Sequence, residues 1–202
     1  MSGSSQKIPQ LEGTLARLHA SLTGLGLPYA VIGGIAVILR GYDRSTQDLD
    51  AVVWGADGRL PELVAELGKN GLHLRRDDGV EFAKRNRILL LKSPDGTQAD
   101  LSLGALPFEH ELIRRATLEL LGKSLSVPIA TVEDLLIMKF IASRDRDLDD
   151  IRRLMDLHPE LDRKRIARIV REYAKALNQP ELIGNVRALL GTKRQRSHPV
   201  AT

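Results

Sequence analysis

"VIGGIAVILRGYDRSTQDLDAVVW", residues 31–54, decides how the rest of this 202-residue chain is read. The β-type run "PYAVI" (28–32) breaks at Gly33-Gly34, and "IAVILRG" then reads as a short helix. A basic, hydroxyl-rich link leads into "DLDAVVW" (48–54), which has the composition of a strand. Strand side chains alternate, so Asp48 and Asp50 share one face while Leu49, Ala51 and Val53 share the other. Two like charges on one strand face repel unless a cation lies between them. Hard carboxylate oxygens suit a divalent ion such as magnesium. A glycine turn opening a helix presents backbone N–H groups and the positive end of the helix dipole, which suits a phosphate.

Outward from this stretch, Leu11, Leu15, Leu18 and Leu22 recur at helical spacing before Gly24 and Gly26. Residues 59–70 form an amphipathic helix with Pro61 suited to its first turn. "RILLLK" (87–92) and "TQADLSL" (97–103) read as strands joined by "SPDG", where Pro94 presets φ and Gly96 tolerates a positive one. The second of these strands carries Asp100 between apolar Ala99 and Leu101. If it pairs with the strand of Asp48 and Asp50, three carboxylates can share one ion.

Beyond residue 107 the strand signal fades, apart from a short "SLSVP", and helices take over. Thr131 with Asp134 has the spacing of a capping box opening "EDLLIMKFIASR". "DLDDIRRLMDLH", "DRKRIARIVREYAKAL" and "PELIGNVRALL" follow as helices separated by Pro159 and Pro180. Strands first and helices last predict an α+β fold: a small mixed sheet with helices, then a helical C-terminal part. The expected boundaries are a core at 1–130, a helical region at 131–190 and a flexible basic tail at 191–202.

Composition narrows the partners. Hydrophobic residues at 43% and charged residues at 28% are ordinary for a folded globule. Aromatics at 3% argue against a base-stacking surface for single-stranded nucleic acid. The net charge of +4 owes much to Lys193, Arg194 and Arg196 in the tail, and so hints only mildly at a polyanionic partner. Without cysteine there is no disulfide, thiolate zinc site or cysteine nucleophile. No leader-like segment or membrane-length apolar run is present, so the expectation is a soluble, cytoplasmic protein with no membrane partner.

Taken singly, each aspartate reads as an exposed strand residue, and Gly-Gly as a plain turn. There is no G-x-x-x-x-G-K-S/T and no G-x-G-x-x-G after the first strand, which excludes a P-loop and a dinucleotide fingerprint. The ordered set is more specific: strand, Gly-Gly, helix, D-x-D strand, later strand with one Asp. It resembles the signature of the nucleotidyltransferase superfamily, whose core is polymerase-beta-like. Residues 131–154, "TVEDLLIMKFIASRDRDLDDIRRL", resemble the second block of the AbiEii/AbiGii-type toxin nucleotidyltransferases: a Lys on a helix, then Arg, then D-h-x-D-h. Here these are Lys139, Arg144, Asp147 and Asp150, and the two blocks together span residues 29–154.

The resemblance implies roles. Asp48 and Asp50 would hold two magnesium ions, with manganese as a substitute, and Asp100 would join them and help activate the acceptor hydroxyl. Gly33 and Gly34 would meet the β- and γ-phosphates of an NTP such as ATP, with Arg44 nearby. Lys139 would neutralise nucleotide phosphate, and Asp147 and Asp150 would position that lysine or the acceptor. Read from the residues alone, Lys139 is an amphipathic-helix lysine, and Asp147 with Arg144 and Arg146 a helix-start charge pairing. Glu109 and Glu111 are expected to be structural. The implied activity is NMP transfer to an RNA (tRNA) or protein hydroxyl, in a toxin–antitoxin or phage-defence setting with a cognate antitoxin. The alternatives are a small-molecule, aminoglycoside-like nucleotidyltransferase and a non-catalytic binding module of the same fold.

Overall fold

The computed structural model describes residues 8–122 and 124–191. The expected tail with Lys193, Arg194 and Arg196 lies outside them, as does the N-terminal "MSGSSQK". The chain forms two compact units that divide between Leu135 and Leu136.

The first unit opens with helix α1 (Ile8–Gly24), whose Leu15, Leu18 and Leu22 are fully buried. Strand β1 (Tyr29–Ile32) runs straight into helix α2 (Gly33–Leu39), and strand β2 (Asp48–Val53) returns antiparallel to β1. Helix α3 (Leu60–Lys69) has Pro61 in its first turn and buries Leu60, Leu63 and Leu67, spaced three and four apart on one face. Then come the two-residue strand β3 (His73–Leu74), helix α4 (Gly79–Asn86) and strands β4 (Ile88–Lys92) and β5 (Gln98–Leu103). Helix α5 (Pro107–Arg115), strands β6 (Thr117–Leu121) and β7 (Leu125–Ile129) and the start of α6 (Val132–Ala142) complete this unit.

One mixed sheet holds these strands in the order β3-β4-β5-β2-β1-β7-β6. The α+β reading therefore stands. Pairings β2–β5 and β1–β7 are parallel and the others antiparallel. Alternation gives the central strands one apolar face: Leu49, Ala51, Val53, Ala99, Leu101, Leu103, Leu89 and Leu91 are all buried. Each fully buried aliphatic side chain contributes about 1.5–3 kcal/mol, and a one-residue slip would turn the whole set outward, so the register is firmly held.

Three elements escape the sequence reading. Strand β3 has only two residues and α4 starts at a glycine, so neither shows a period. Strand β6, "TLELL", lies at the sheet edge with Leu118 and Leu120 exposed, so burial leaves no alternating pattern to read. Two local readings hold. The β4–β5 turn closes through the Ser93 N–H to Thr97 O (2.9 Å), with Gly96 at φ +90°. Glu109 caps α5 by accepting from the N–H groups of Ala105 (2.8 Å) and Leu106 (2.9 Å).

The second unit comprises the rest of α6 with α7 (Asp145–Leu157), α8 (Arg163–Ala176) and α9 (Glu181–Leu190). Its buried apolar residues include Phe140, Ile151, Leu154, Ile166 and Val170. Asp162 caps α8 through the Arg165 N–H (2.9 Å), and the Arg163 guanidinium donates to the carbonyl of Leu190 (2.9 Å), tying α8 to α9. Among the described residues no helix is long and apolar enough to cross a membrane.

Candidate active site

Parallel pairing of β2 with β5 sets Asp50 directly beside Asp100 and Asp48 beside Gln98. Residues opposite one another in a sheet point to the same face, about 4.8 Å apart between strands. The three aspartates therefore lie on the face opposite the buried leucines. Asp48 is exposed, and Asp50 and Asp100 are half-buried.

The glycine pair packs against this row. Gly33 sits at φ +65°, and a Cβ there would overlap the carboxylate of Asp50. A Cβ on Gly34 would overlap the side chain of Thr46 and lie 3.1 Å from Nη2 of Arg44. Gly33 is thus required by close approach as well as by backbone conformation, and Gly34 by close approach. The link between α2 and β2 folds back over the β1–α2 turn, and Thr46 Oγ1 donates to the carbonyl of Asp48 (3.3 Å). Arg44, also in this link, donates to the carbonyl of Ser45 (3.1 Å). Gly33, Gly34, Arg44, Asp48, Asp50 and Asp100 are in this way brought into one neighbourhood of the first unit.

Asp100 has a partner that sequence reasoning missed. Nη2 of Arg75 donates to its Oδ1, and Nη1 of the same guanidinium donates to Oε1 of Gln98. Burial raises the Asp100 carboxyl above its ordinary pKa; the Arg75 charge opposes this and the Asp48 charge adds to it. A cavity of about 330 Å³ borders Asp48, lined also by Thr46, Gln47, Thr97 and Gln98. As the side chains stand, no three His, Cys, Asp or Glu among the described residues converge on a metal position. Asp50, Asp100 and Asp48 still supply hard oxygens on one face within a strand spacing or two, and this donor chemistry fits magnesium.

Lys139, Asp147 and Asp150 belong to the second unit and form a group of their own. Lys139 Nζ donates to Asp147 Oδ1 at 3.1 Å and to Asp150 Oδ2. Nε of Arg144 reaches Asp147 Oδ2 at 2.8 Å, and the Arg144 backbone N–H donates to the same oxygen at 3.3 Å, so Asp147 caps its own helix. Lys139 is 7%, Asp147 1% and Asp150 4% exposed, so each charge leans on the others for its stability there. Burial alone would raise the Asp147 carboxyl, but the hydrogen bond from Arg144 and the charge of Lys139 outweigh it and hold the group below its ordinary pKa.

A family model described as "Nucleotidyltransferase of unknown function (DUF6036)" matches residues 10–190. The chain belongs to this family. Among solved structures, the DUF6036 chain shares its fold with an antigenic nucleotidyltransferase-like protein from Paracoccidioides brasiliensis. The TM-score is 0.53 at 19% identity, over 94% of this chain and 99% of that one. It is also similar to ANT(2")-Ia, solved in complex with adenylyl-2"-tobramycin. There the TM-score is 0.53 at 17% identity, covering 88% of this chain and 98% of that one. No curated protein sequence matches the DUF6036 chain.

Proposed function

We propose that this chain is a magnesium-dependent nucleotidyltransferase, moving an NMP group from an NTP to an acceptor hydroxyl. The observation that carries the reading is the row of Asp50 and Asp100 on paired strands, with Gly33 packed directly against Asp50. Asp48 and Asp50, with Asp100, would hold the metal, which when bound supplies charge neutralisation at the phosphates and at the attacking and leaving oxygens. The rest falls to the chain. Gly33 and Gly34 let the Asp50 and Thr46 side chains close onto the β1–α2 turn, whose backbone N–H groups would meet phosphate oxygens, and Arg44 adds a positive charge beside them. The acceptor oxygen attacks the α-phosphorus, the bond to the β-phosphate oxygen breaks, and pyrophosphate leaves. Asp100 Oδ2 takes the proton from the hydroxyl. Positioning and charge do most of the work in such a reaction.

For the acceptor, the likeness of residues 131–154 to the AbiEii/AbiGii block supports an RNA or protein hydroxyl, with toxin behaviour and an antitoxin partner as its corollaries. The cavity beside Asp48 supports a second reading. At about 330 Å³ it falls in the size range of small-molecule sites, and its hydroxyl, carboxamide and carboxylate groups, set beside apolar Leu11, suit a polyhydroxylated acceptor with an apolar ring face. Incubation with each α-labelled NTP and magnesium, in parallel with total RNA, cell lysate and aminoglycosides, separates the two by the species that gains label. Label on none of them, with all four NTPs, would contradict the transferase reading.

A further inference from the structure

The contact between Arg75 and Asp100 plays no part in the reaction described above, yet it occupies one of the three carboxylates on which that reaction depends. The backbone N–H of Arg75 donates to the carbonyl of Leu90 (2.9 Å), continuing the β3–β4 ladder one residue past Leu74. Leu90 lies opposite Asp100, and Asp100 opposite Asp50. Arg75, Leu90, Asp100 and Asp50 thus form one row across four strands. The guanidinium reaches over Leu90 and clamps two same-face residues of β5, Gln98 and Asp100. Arg76 is engaged elsewhere, its Nε donating to Asp78 Oδ1 at 2.8 Å, while Lys92 lies opposite Gln98 on the same face and Arg44 lies at the Gly34 turn.

We propose that Arg75 is a built-in counter-cation that holds Asp100 in the metal-free protein and must swing off it when a divalent ion binds. The inference rests on the carboxylate row being a metal site. Three aspartates on one face repel one another, and the positive charge of Arg75 relieves part of that repulsion at Asp100. A divalent ion needs the Asp100 carboxylate, one of whose oxygens the guanidinium holds, and is itself repelled by that guanidinium. Arginine does not lose its proton in the working pH range, so the exchange cannot proceed by neutralising it. It has to be a movement. The position allows one: Arg75 follows a two-residue strand at the sheet edge, and its side chain is 23% exposed. Metal affinity is thereby kept low until a nucleotide brings the ion with its own negative charge, which ties loading of the ion to loading of the substrate.

The test is Mn²⁺ binding to the nucleotide-free full chain, followed by the electron paramagnetic resonance of the free ion. Wild type is compared with Arg75→Met, Gln98→Ala and Asp50→Asn. Removing one competing, partly screened unit charge is expected to tighten Mn²⁺ binding in Arg75→Met by roughly ten- to a hundredfold. Gln98→Ala, which releases only one arm of the clamp and keeps the inference testable should Arg75→Met fail to fold, is expected to tighten it several-fold. Melts in chelator should show Arg75→Met unfolding below wild type. Equal or weaker Mn²⁺ affinity in Arg75→Met and Gln98→Ala, with binding by wild type and loss in Asp50→Asn, overturns the role of Arg75 and leaves the metal site standing. Failure of wild type and of every variant to bind Mn²⁺, both alone and with a non-hydrolysable NTP, overturns the metal reading itself, and this inference with it.

Discussion

Replacing Lys139 by Met removes one cation from between two buried carboxylates. Lys139 Nζ lies 3.1 Å from Asp147 Oδ1 and also contacts Asp150, and all three residues are less than a tenth exposed. Breaking a buried ion pair from one side costs about 3–5 kcal/mol, because the remaining charge is left in a poorly solvating place. Arg144 stays on Asp147 at 2.8 Å, so the lower end, about 3 kcal/mol, is the expected figure. For a chain of this length each kcal/mol shifts the midpoint by about 2–4 °C, which gives a fall of about 6–12 °C. Circular dichroism melts at neutral pH measure it. The double variant Lys139→Met/Asp150→Asn removes one of the stranded charges and should recover part of the loss. A Lys139→Met midpoint level with wild type, or a double variant that melts lower still, would refute the view that these three charges hold one another in place.

The same cluster sets a pH dependence. A carboxyl whose folded pKa is depressed stabilises the fold above its unfolded value, and this stabilisation is lost as pH falls through the folded value. The gap in midpoint between wild type and Asp147→Asn should therefore be constant near neutrality and close below about pH 4, and a gap that widens in acid would contradict the assignment. At the glycine turn, Gly33→Ala must hold a side chain at φ +65° and push on the Asp50 carboxylate. It should cost about 1–2 kcal/mol in a melt from backbone strain, and nucleotidyl transfer should fall by more than the unfolded fraction explains. Transfer at the wild-type rate would show that Asp50 is free to shift.

Much of this was legible in the residues, for definite reasons. Alternation in "DLDAVV" and "QADLSL" placed the aspartates on one face, and the structure shows that face opposite the buried leucines. The Thr131–Asp134 spacing described a cap that forms, with the Asp134 N–H donating to Thr131 Oγ1 at 3.3 Å and that hydroxyl donating to Asp134 Oδ2 at 2.8 Å. The Gly-Gly pair was read as a phosphate turn. Its structural demand is more immediate, since Asp50, Thr46 and Arg44 leave no room for a Cβ. Arg75 was not legible. Its contact with Asp100 depends on the register of β3 on β4 and of β4 on β5, and "LRRDDG" offers no period from which either could be read. Lys139 and Asp147 were expected beside a nucleotide on resemblance alone. What the geometry adds is that their charges are already matched within their own unit.

The central claim is that the β2–β5 carboxylate row performs metal-assisted nucleotidyl transfer, and one comparison bears on it most directly. Wild type and Asp50→Asn, both verified as folded, are incubated with α-labelled NTPs and total RNA or lysate, with magnesium and with chelator. Label should appear on an acceptor only with wild type and magnesium. Undiminished transfer by Asp50→Asn, or transfer by wild type in chelator, would contradict the account.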